Sequence, residues 1–111
     1  MKKLALKSST RLLIGKTMFV VNLTYKVPLT EIDRLRDAHM EWVKAGYADG
    51  IFIASGAKRP RTGGVILARG TREALDARLA DDPFTKADVA DYDVIDFAAT
   101  SAEAGLEALK D

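Results

Sequence analysis

The chain of 111 residues contains no cysteine and only one histidine. Without cysteine it can form no disulfide, no thiolate metal site and no cysteine nucleophile. A lone histidine in a cysteine-free chain also argues against a zinc site. The glycine-rich and lysine signatures of nucleotide sites are absent, as is the G-x-S-x-G sequence of serine hydrolases. We therefore expect neither a metal ion nor an organic cofactor.

Long apolar runs are also missing. No segment approaches the ~18 to 20 apolar residues that a membrane span requires, so we expect no membrane association and take the cytoplasm as the default location. Residues 1–17 carry a charge of +5 and the remaining residues about −4. Outside the N-terminal segment the only tight basic group is Lys58, Arg59 and Arg61. Because nucleic-acid modules present a clustered basic face, we expect no nucleic-acid partner.

Residues 1–17 are basic, free of acids and partly Ser and Thr, which is a composition found in targeting peptides. The apolar run at 12–14 is too short for a secretory signal, and no A-x-A-like cleavage site follows it. Met18 begins a strand-like segment. We favour a poorly ordered N-terminal extension or a start codon assigned too far upstream.

The hydrophobic patterns predict four strands, at 18–25, 51–55, 65–69 and 92–97. A helix is predicted over 30–47, with Thr30 and Asp33 as a weak capping box. Thr71 can cap a second helix, and Asp82 can cap a further turn that starts at Pro83. Residues 101–110 are predicted to form a C-terminal helix.

The element order is β-α-β-β-α-β, which predicts an α+β, ferredoxin-like fold with an antiparallel sheet. Two helices cover only one face of such a sheet. The first strand nevertheless carries apolar side chains on both faces, with Phe19 and Val21 on one and Met18 and Val20 on the other. An uncovered apolar face is usually buried by something else, and a second copy is the simplest cover. We therefore predict a homodimer through the sheet face.

The histidine, His39, lies where a core residue is expected. Ile32, Leu35, Trp42 and Val43 fall on one stripe of the first predicted helix, and His39 lies on that stripe. A half-buried imidazole needs a polar partner, and with a carboxylate as partner it can transfer protons near neutral pH. A structural histidine bonded to a backbone carbonyl is the alternative.

Several short motifs appear in a recognisable order, namely Arg36-Asp37-Ala38-His39, the segment IFIASG at 51–56, Thr62-Gly63-Gly64 and Asp82-Pro83-Phe84. With this spacing, residues 18–98 resemble the YciI-like, or YCII-related, domain family of the dimeric α+β barrel superfamily. The resemblance implies a dimer and a histidine-aspartate pair in a pocket beside the sheet. It places His39 and Asp82 as the candidate catalytic residues.

Each candidate also has a structural interpretation. An aspartate before proline, such as Asp82, is an ordinary helix cap, and the neighbouring Asp81 is the second choice as partner of His39. Arg36 lies one helical turn before His39 and either binds an anionic substrate group or is a solvated surface cation. Ser55 and Gly56 are candidate substrate-binding residues at the end of a strand, where Ser-Gly also serves simply to end strands.

Two functions remain open. The first is a small cofactor-independent enzyme, an isomerase or lyase, in which the pair moves a proton on a small polar or aromatic compound. The second is a non-catalytic dimer that binds a small molecule or assists another protein. Catalysis requires His39 and Asp82 within hydrogen-bond distance beside an open pocket, whereas a structural role requires them to be sealed.

Overall fold

The computed structural model describes residues 17–110, which form a four-stranded antiparallel sheet with helices on one face. The strands are β1 (Thr17–Tyr25), β2 (Phe52–Ala57), β3 (Gly63–Arg69) and β4 (Ala90–Ala98), and the helices are α1 (Leu29–Ala48), α2 (Arg72–Ala80) and α3 (Pro83–Lys86). The spatial order is β2-β3-β1-β4. This is the predicted α+β, ferredoxin-like fold, with α3 added as a single turn before β4.

The core lies between the sheet and the helices. Phe19, Val21 and Leu23 of β1 are buried there against Ile66 and Ala68 of β3 and the buried side chains of the three helices. The indole N–H of Trp42 donates to the carbonyl of Arg78 at 2.8 Å. This bond fixes α1 against α2, because a buried indole donor costs free energy unless it is paired.

Two of the three predicted helix caps are present. The Thr71 hydroxyl accepts the amide of Ala74 at 3.1 Å, and the Asp82 carboxylate accepts the amide of Phe84 at 3.0 Å. The predicted Thr30 cap is wrong, since α1 begins at Leu29 after Pro28 and no side chain caps it. Proline has a fixed φ suited to this position, so the helix can start without a side-chain acceptor.

The predicted helix over 101–110 is also wrong. Only Glu107–Leu109 is helical, as one 3₁₀ turn. Gly105 adopts a φ of 95°, which interrupts any α-helical path, and Leu106 is 51% exposed, so the segment buries little apolar surface. The predicted extension falls outside the described residues except for Thr17, which belongs to β1 and pairs with Ala98.

No helix within residues 17–110 is both long and apolar enough to cross a membrane. The longest, α1, has 20 residues but is amphipathic, with only Ile32, Trp42, Val43 and Gly46 buried.

Candidate active site

A cavity of about 290 Å³ lies between α1 and the β2–β3 hairpin. That volume is near the lower end of the ~300 to 1,000 Å³ typical of small-molecule sites. The residues that line it are Leu23, Tyr25, Ile32, Arg36, His39, Met40, Val43, Ser55, Gly56, Ala57, Arg61, Gly63, Gly64, Val65, Ile66 and Phe84. The α1 residues among them follow helical spacing, so one face of the helix forms one wall.

The cavity results from a change in side-chain size along the helix–sheet interface. At one end α1 approaches β2 closely, since a Cβ atom on Gly46 would clash with the ring of Phe52. At the other end the sheet presents Ser55, Ala57 and Gly64, whose side chains are too small to fill the space. A helix that touches the sheet at one end therefore leaves a gap at the other.

His39 lies on the α1 wall of the cavity, with 14% of its side chain exposed. Its Nδ1 atom is 2.8 Å from Oδ1 of Asp82. The imidazole stacks on the Phe84 ring at a centroid distance of 4.0 Å and an interplanar angle of 8°. The hydrogen bond and the stacking together hold the ring in one orientation.

Asp82 is fully buried behind His39 and does not itself line the cavity. Its Oδ1 also accepts the amide of Phe84 at 3.0 Å, and its Oδ2 accepts a short hydrogen bond from the Tyr92 hydroxyl. Three donors thus converge on one carboxylate, which compensates the loss of hydration on burial.

Tyr92 is a donor in this cluster because it stays protonated. Burial, and then the hydrogen bond to Asp82, raise the pKa of the Tyr92 phenol well above its ordinary value of 10.0. The phenol is therefore neutral throughout the physiological range and its hydroxyl can donate to Asp82.

The contacts of Asp82 determine which imidazole nitrogen remains free to accept a proton. Because a carboxylate only accepts hydrogen bonds, the Nδ1 atom of neutral His39 must carry its proton to bond Oδ1. Nε2 is then the nitrogen with a free lone pair, and within residues 17–110 it has no hydrogen-bond partner. This arrangement allows Nε2 to accept a proton from a molecule in the cavity.

Ser55 reaches the cavity because β2 contains a bulge. The register shifts between Phe52 and Ala54, so Phe52 pairs with Ala68 whereas Ser55 pairs with Ile66, and all four side chains face the helices. Strict alternation from Phe52 would have turned Ser55 to the opposite face. The Tyr47 hydroxyl lies 2.8 Å from Ser55 Oγ, which orients the serine from the side of α1.

The predicted substrate-binding residues Arg36, Ser55 and Gly56 all line the same cavity as His39. They are exposed, which places them towards its mouth. Asp81, the second choice as partner, is also exposed and ends α2, and its carboxylate makes no contact with His39 in the part of the chain described. The structure therefore brings Asp82 and not Asp81 to the imidazole.

Sequence reasoning missed Tyr92, Arg61 and Tyr47. The sequence could have indicated Tyr92, because it alternates with Val94 on β4 and therefore faces the helices. For Arg61 the sequence shows only that it lies in a basic loop. No sequence pattern indicates Tyr47, since its contact with Ser55 depends on the bulge. Across residues 17–110 no group of three or more histidine or carboxylate side chains lies close enough to hold a metal ion.

Comparison with known proteins identifies the family of the chain. A search of curated proteins finds no match. The profile of the YCII-related domain matches residues 18–98, which include the four strands except Thr17 of β1, the residues that line the cavity, and Asp82. The chain therefore belongs to the YCII-related domain family.

Proposed function

We propose that this protein is a small enzyme that uses His39 to move a proton on a small polar or aromatic compound held in the cavity. The observation that carries the proposal is the 2.8 Å bond from Nδ1 to buried Asp82, which leaves Nε2 without a partner on an imidazole that lines the cavity. A base needs that free nitrogen, whereas a purely structural histidine does not.

The chemistry follows from the pair. Nε2 removes a proton from carbon next to a carbonyl group, and the imidazole becomes an imidazolium ion. Asp82 acts as a positioning residue, since it holds the ring and stabilises the new positive charge without touching substrate. Return of the proton to a different carbon gives isomerisation, and loss of a neighbouring leaving group gives elimination. Arg36, Ser55 and Gly56 supply binding contacts.

Proton exchange tests this proposal before the natural substrate is identified. Small keto acids, lactones and aromatic carbonyl compounds that raise the melting temperature are incubated with the protein in D₂O, and deuterium at carbon is followed by NMR. We expect deuterium exchange at the carbon next to the carbonyl, and an exchange rate about 10²-fold or more lower in His39→Gln. Asp81→Asn is the matched control and should exchange at the wild-type rate.

We also propose that the protein is a homodimer through the sheet face opposite the helices. On that face Val20 lies directly between Leu67 and Ile95, and Phe97 lies beside Met18. Ile95 is 56% and Phe97 40% exposed, so an apolar row extends to the β4 edge. Such a row favours association with a second copy.

Sedimentation tests the dimer. We expect twice the 12.1 kDa chain mass at micromolar concentration, and the chain mass itself for Ile95→Asp. Asp93→Asn, on the same face of the same strand, should leave the dimer intact. A wild-type monomer would contradict the proposal.

The alternative is a non-catalytic binding protein of the same family. It is favoured by one observation, namely that every oxygen of Asp82 already has a donor, as expected of a structural cap. Under this alternative, compounds bind in the cavity but show no deuterium exchange with either wild type or His39→Gln.

A further inference from the structure

The charged groups around the cavity are all of one sign. Arg36 and Arg61 line it, and none of the lining residues in the described chain is Asp or Glu. The nearest buried carboxylate, Asp82, lies behind the imidazole and is occupied by three donors. A cavity with this lining attracts an anion more strongly than a neutral or cationic ligand.

The two arginines are not equivalent. Nη2 of Arg61 lies 2.5 Å from Oδ1 of Asp33 on α1, so its charge is balanced by a carboxylate outside the cavity. Within residues 17–110 no hydrogen bond or ion pair engages the guanidinium of Arg36. Arg36 is therefore the cation available to a ligand, and it lies one helical turn from His39.

The inner wall of the cavity is apolar. Leu23, Ile32, Val43 and Phe84 form its inner wall, and these side chains are buried in the core. They favour a hydrocarbon or aromatic body rather than a second charged group. One end of the ligand is thus expected to be charged and the other apolar.

From this arrangement we infer that the ligand is a small monocarboxylate bound through Arg36, and that Asp33 selects against dianions by neutralising Arg61. This inference rests on the proposed use of the cavity as the substrate site, and it adds the substrate class. With its carboxylate on Arg36, the apolar body of such a ligand extends past His39 towards Phe84. A carbon-bound proton is then within the space that Nε2 faces.

The first test compares matched probes. Benzoate, benzamide and isophthalate share one ring and carry one, no and two negative charges at pH 7. Binding is measured by NMR titration of the ¹⁵N-labelled protein, with the amides of Ser55, Gly56 and Gly64 as reporters. We expect benzoate to bind about tenfold more tightly than benzamide, as a charge-assisted contact at an exposed site would give. Equal affinity for the two would overturn the inference.

Arg36→Gln identifies the counter-ion. It should lower benzoate affinity about tenfold and leave benzamide affinity unchanged. Arg34→Gln is the matched control, because Arg34 is on the same helix, is exposed and pairs with Glu31 away from the cavity. If both variants bind benzoate equally well, Arg36 is not the counter-ion.

Asp33→Asn tests the selectivity. Releasing Arg61 should raise the ratio of isophthalate to benzoate affinity about fivefold, a modest change because the pair is partly exposed. Asp76→Asn breaks a comparable ion pair with Arg72 on α2 and should leave the ratio unchanged. A wild type that prefers isophthalate, or an unchanged ratio in Asp33→Asn, would overturn the role of Asp33.

The same titrations separate this inference from the proposed function. Selective benzoate binding without any deuterium exchange would refute the enzyme and support the ligand class. Deuterium exchange on neutral compounds only, with no preference for benzoate over benzamide, would support the enzyme and refute the monocarboxylate ligand class.

Discussion

The two sides of the cavity are built differently. On one side His39 and Phe84 line the cavity and Asp82 and Tyr92 lie behind them; we call these four residues the dyad wall. Its carboxylate is fully buried and accepts three hydrogen bonds. On the other side, the hairpin wall (Ser55, Gly56, Arg61 and Gly64), side chains are small or exposed and their contacts are single hydrogen bonds or a surface ion pair. The dyad wall is therefore held by several buried hydrogen bonds, whereas we expect the hairpin wall to tolerate substitution without loss of the fold.

The largest effect is expected on the dyad wall, from Asp82→Ala. This change leaves His39, the Phe84 amide and the Tyr92 hydroxyl without their acceptor and also removes the helix cap. We expect the free energy of unfolding to fall by about 3 kcal/mol, measured by urea denaturation. Asp81→Ala is the control and should change it by less than about 0.5 kcal/mol, as expected for an exposed residue. Equal losses would remove the distinction between the two aspartates.

A smaller effect with a defined pH dependence is expected from Tyr92→Phe, which should cost about 1 to 2 kcal/mol at neutral pH. The pKa of Tyr92 is raised in the folded protein, so the folded state holds the phenol proton more tightly than the unfolded state. The contribution of Tyr92 to the free energy of unfolding is complete at pH values below the unfolded-state pKa of the phenol, near 10. It decreases as the pH rises above that pKa. Urea denaturation from pH 8 to 10.5 should therefore show a steeper loss for wild type than for Tyr92→Phe. Parallel curves would contradict this account of Tyr92.

The smallest effect on stability is expected on the hairpin wall. Ser55→Ala removes an exposed hydroxyl and its bond to Tyr47, and should change the free energy of unfolding by less than about 0.5 kcal/mol. We expect instead that Ser55→Ala binds cavity ligands more weakly, measured by the same NMR titration. Tyr47→Phe, which removes the group that orients Ser55, should also weaken ligand binding. If Ser55→Ala destabilises the protein as much as Tyr92→Phe does, the two walls do not differ as proposed.

The dyad wall was largely predictable from the sequence because its signals are local. The apolar stripe of α1 placed His39 facing inward, and the Asp-Pro pair marked the cap at Asp82. Their contact depends on two elements 43 residues apart, and only the family resemblance suggested it. Tyr92 could have been added from the alternation of β4.

The hairpin wall was less predictable because it depends on features without a local signal. The bulge in β2 reverses which side chains face the helices, and a period-two pattern cannot locate the extra residue. The Asp33–Arg61 pair joins α1 to a loop 28 residues later. The C-terminal segment failed as a helix for a physical reason, since Gly105 takes a positive φ in a stretch that buries little.

The position of the proton on His39 tests the central claim most directly. Because the chain has one histidine, a long-range ¹H–¹⁵N spectrum at a pH where the ring is neutral gives a single, assignable set of imidazole signals. We predict a protonated Nδ1 held by Asp82 and an unprotonated Nε2 that is free to accept a proton. A proton on Nε2 instead would leave no base in the cavity and would contradict the proposed proton transfer.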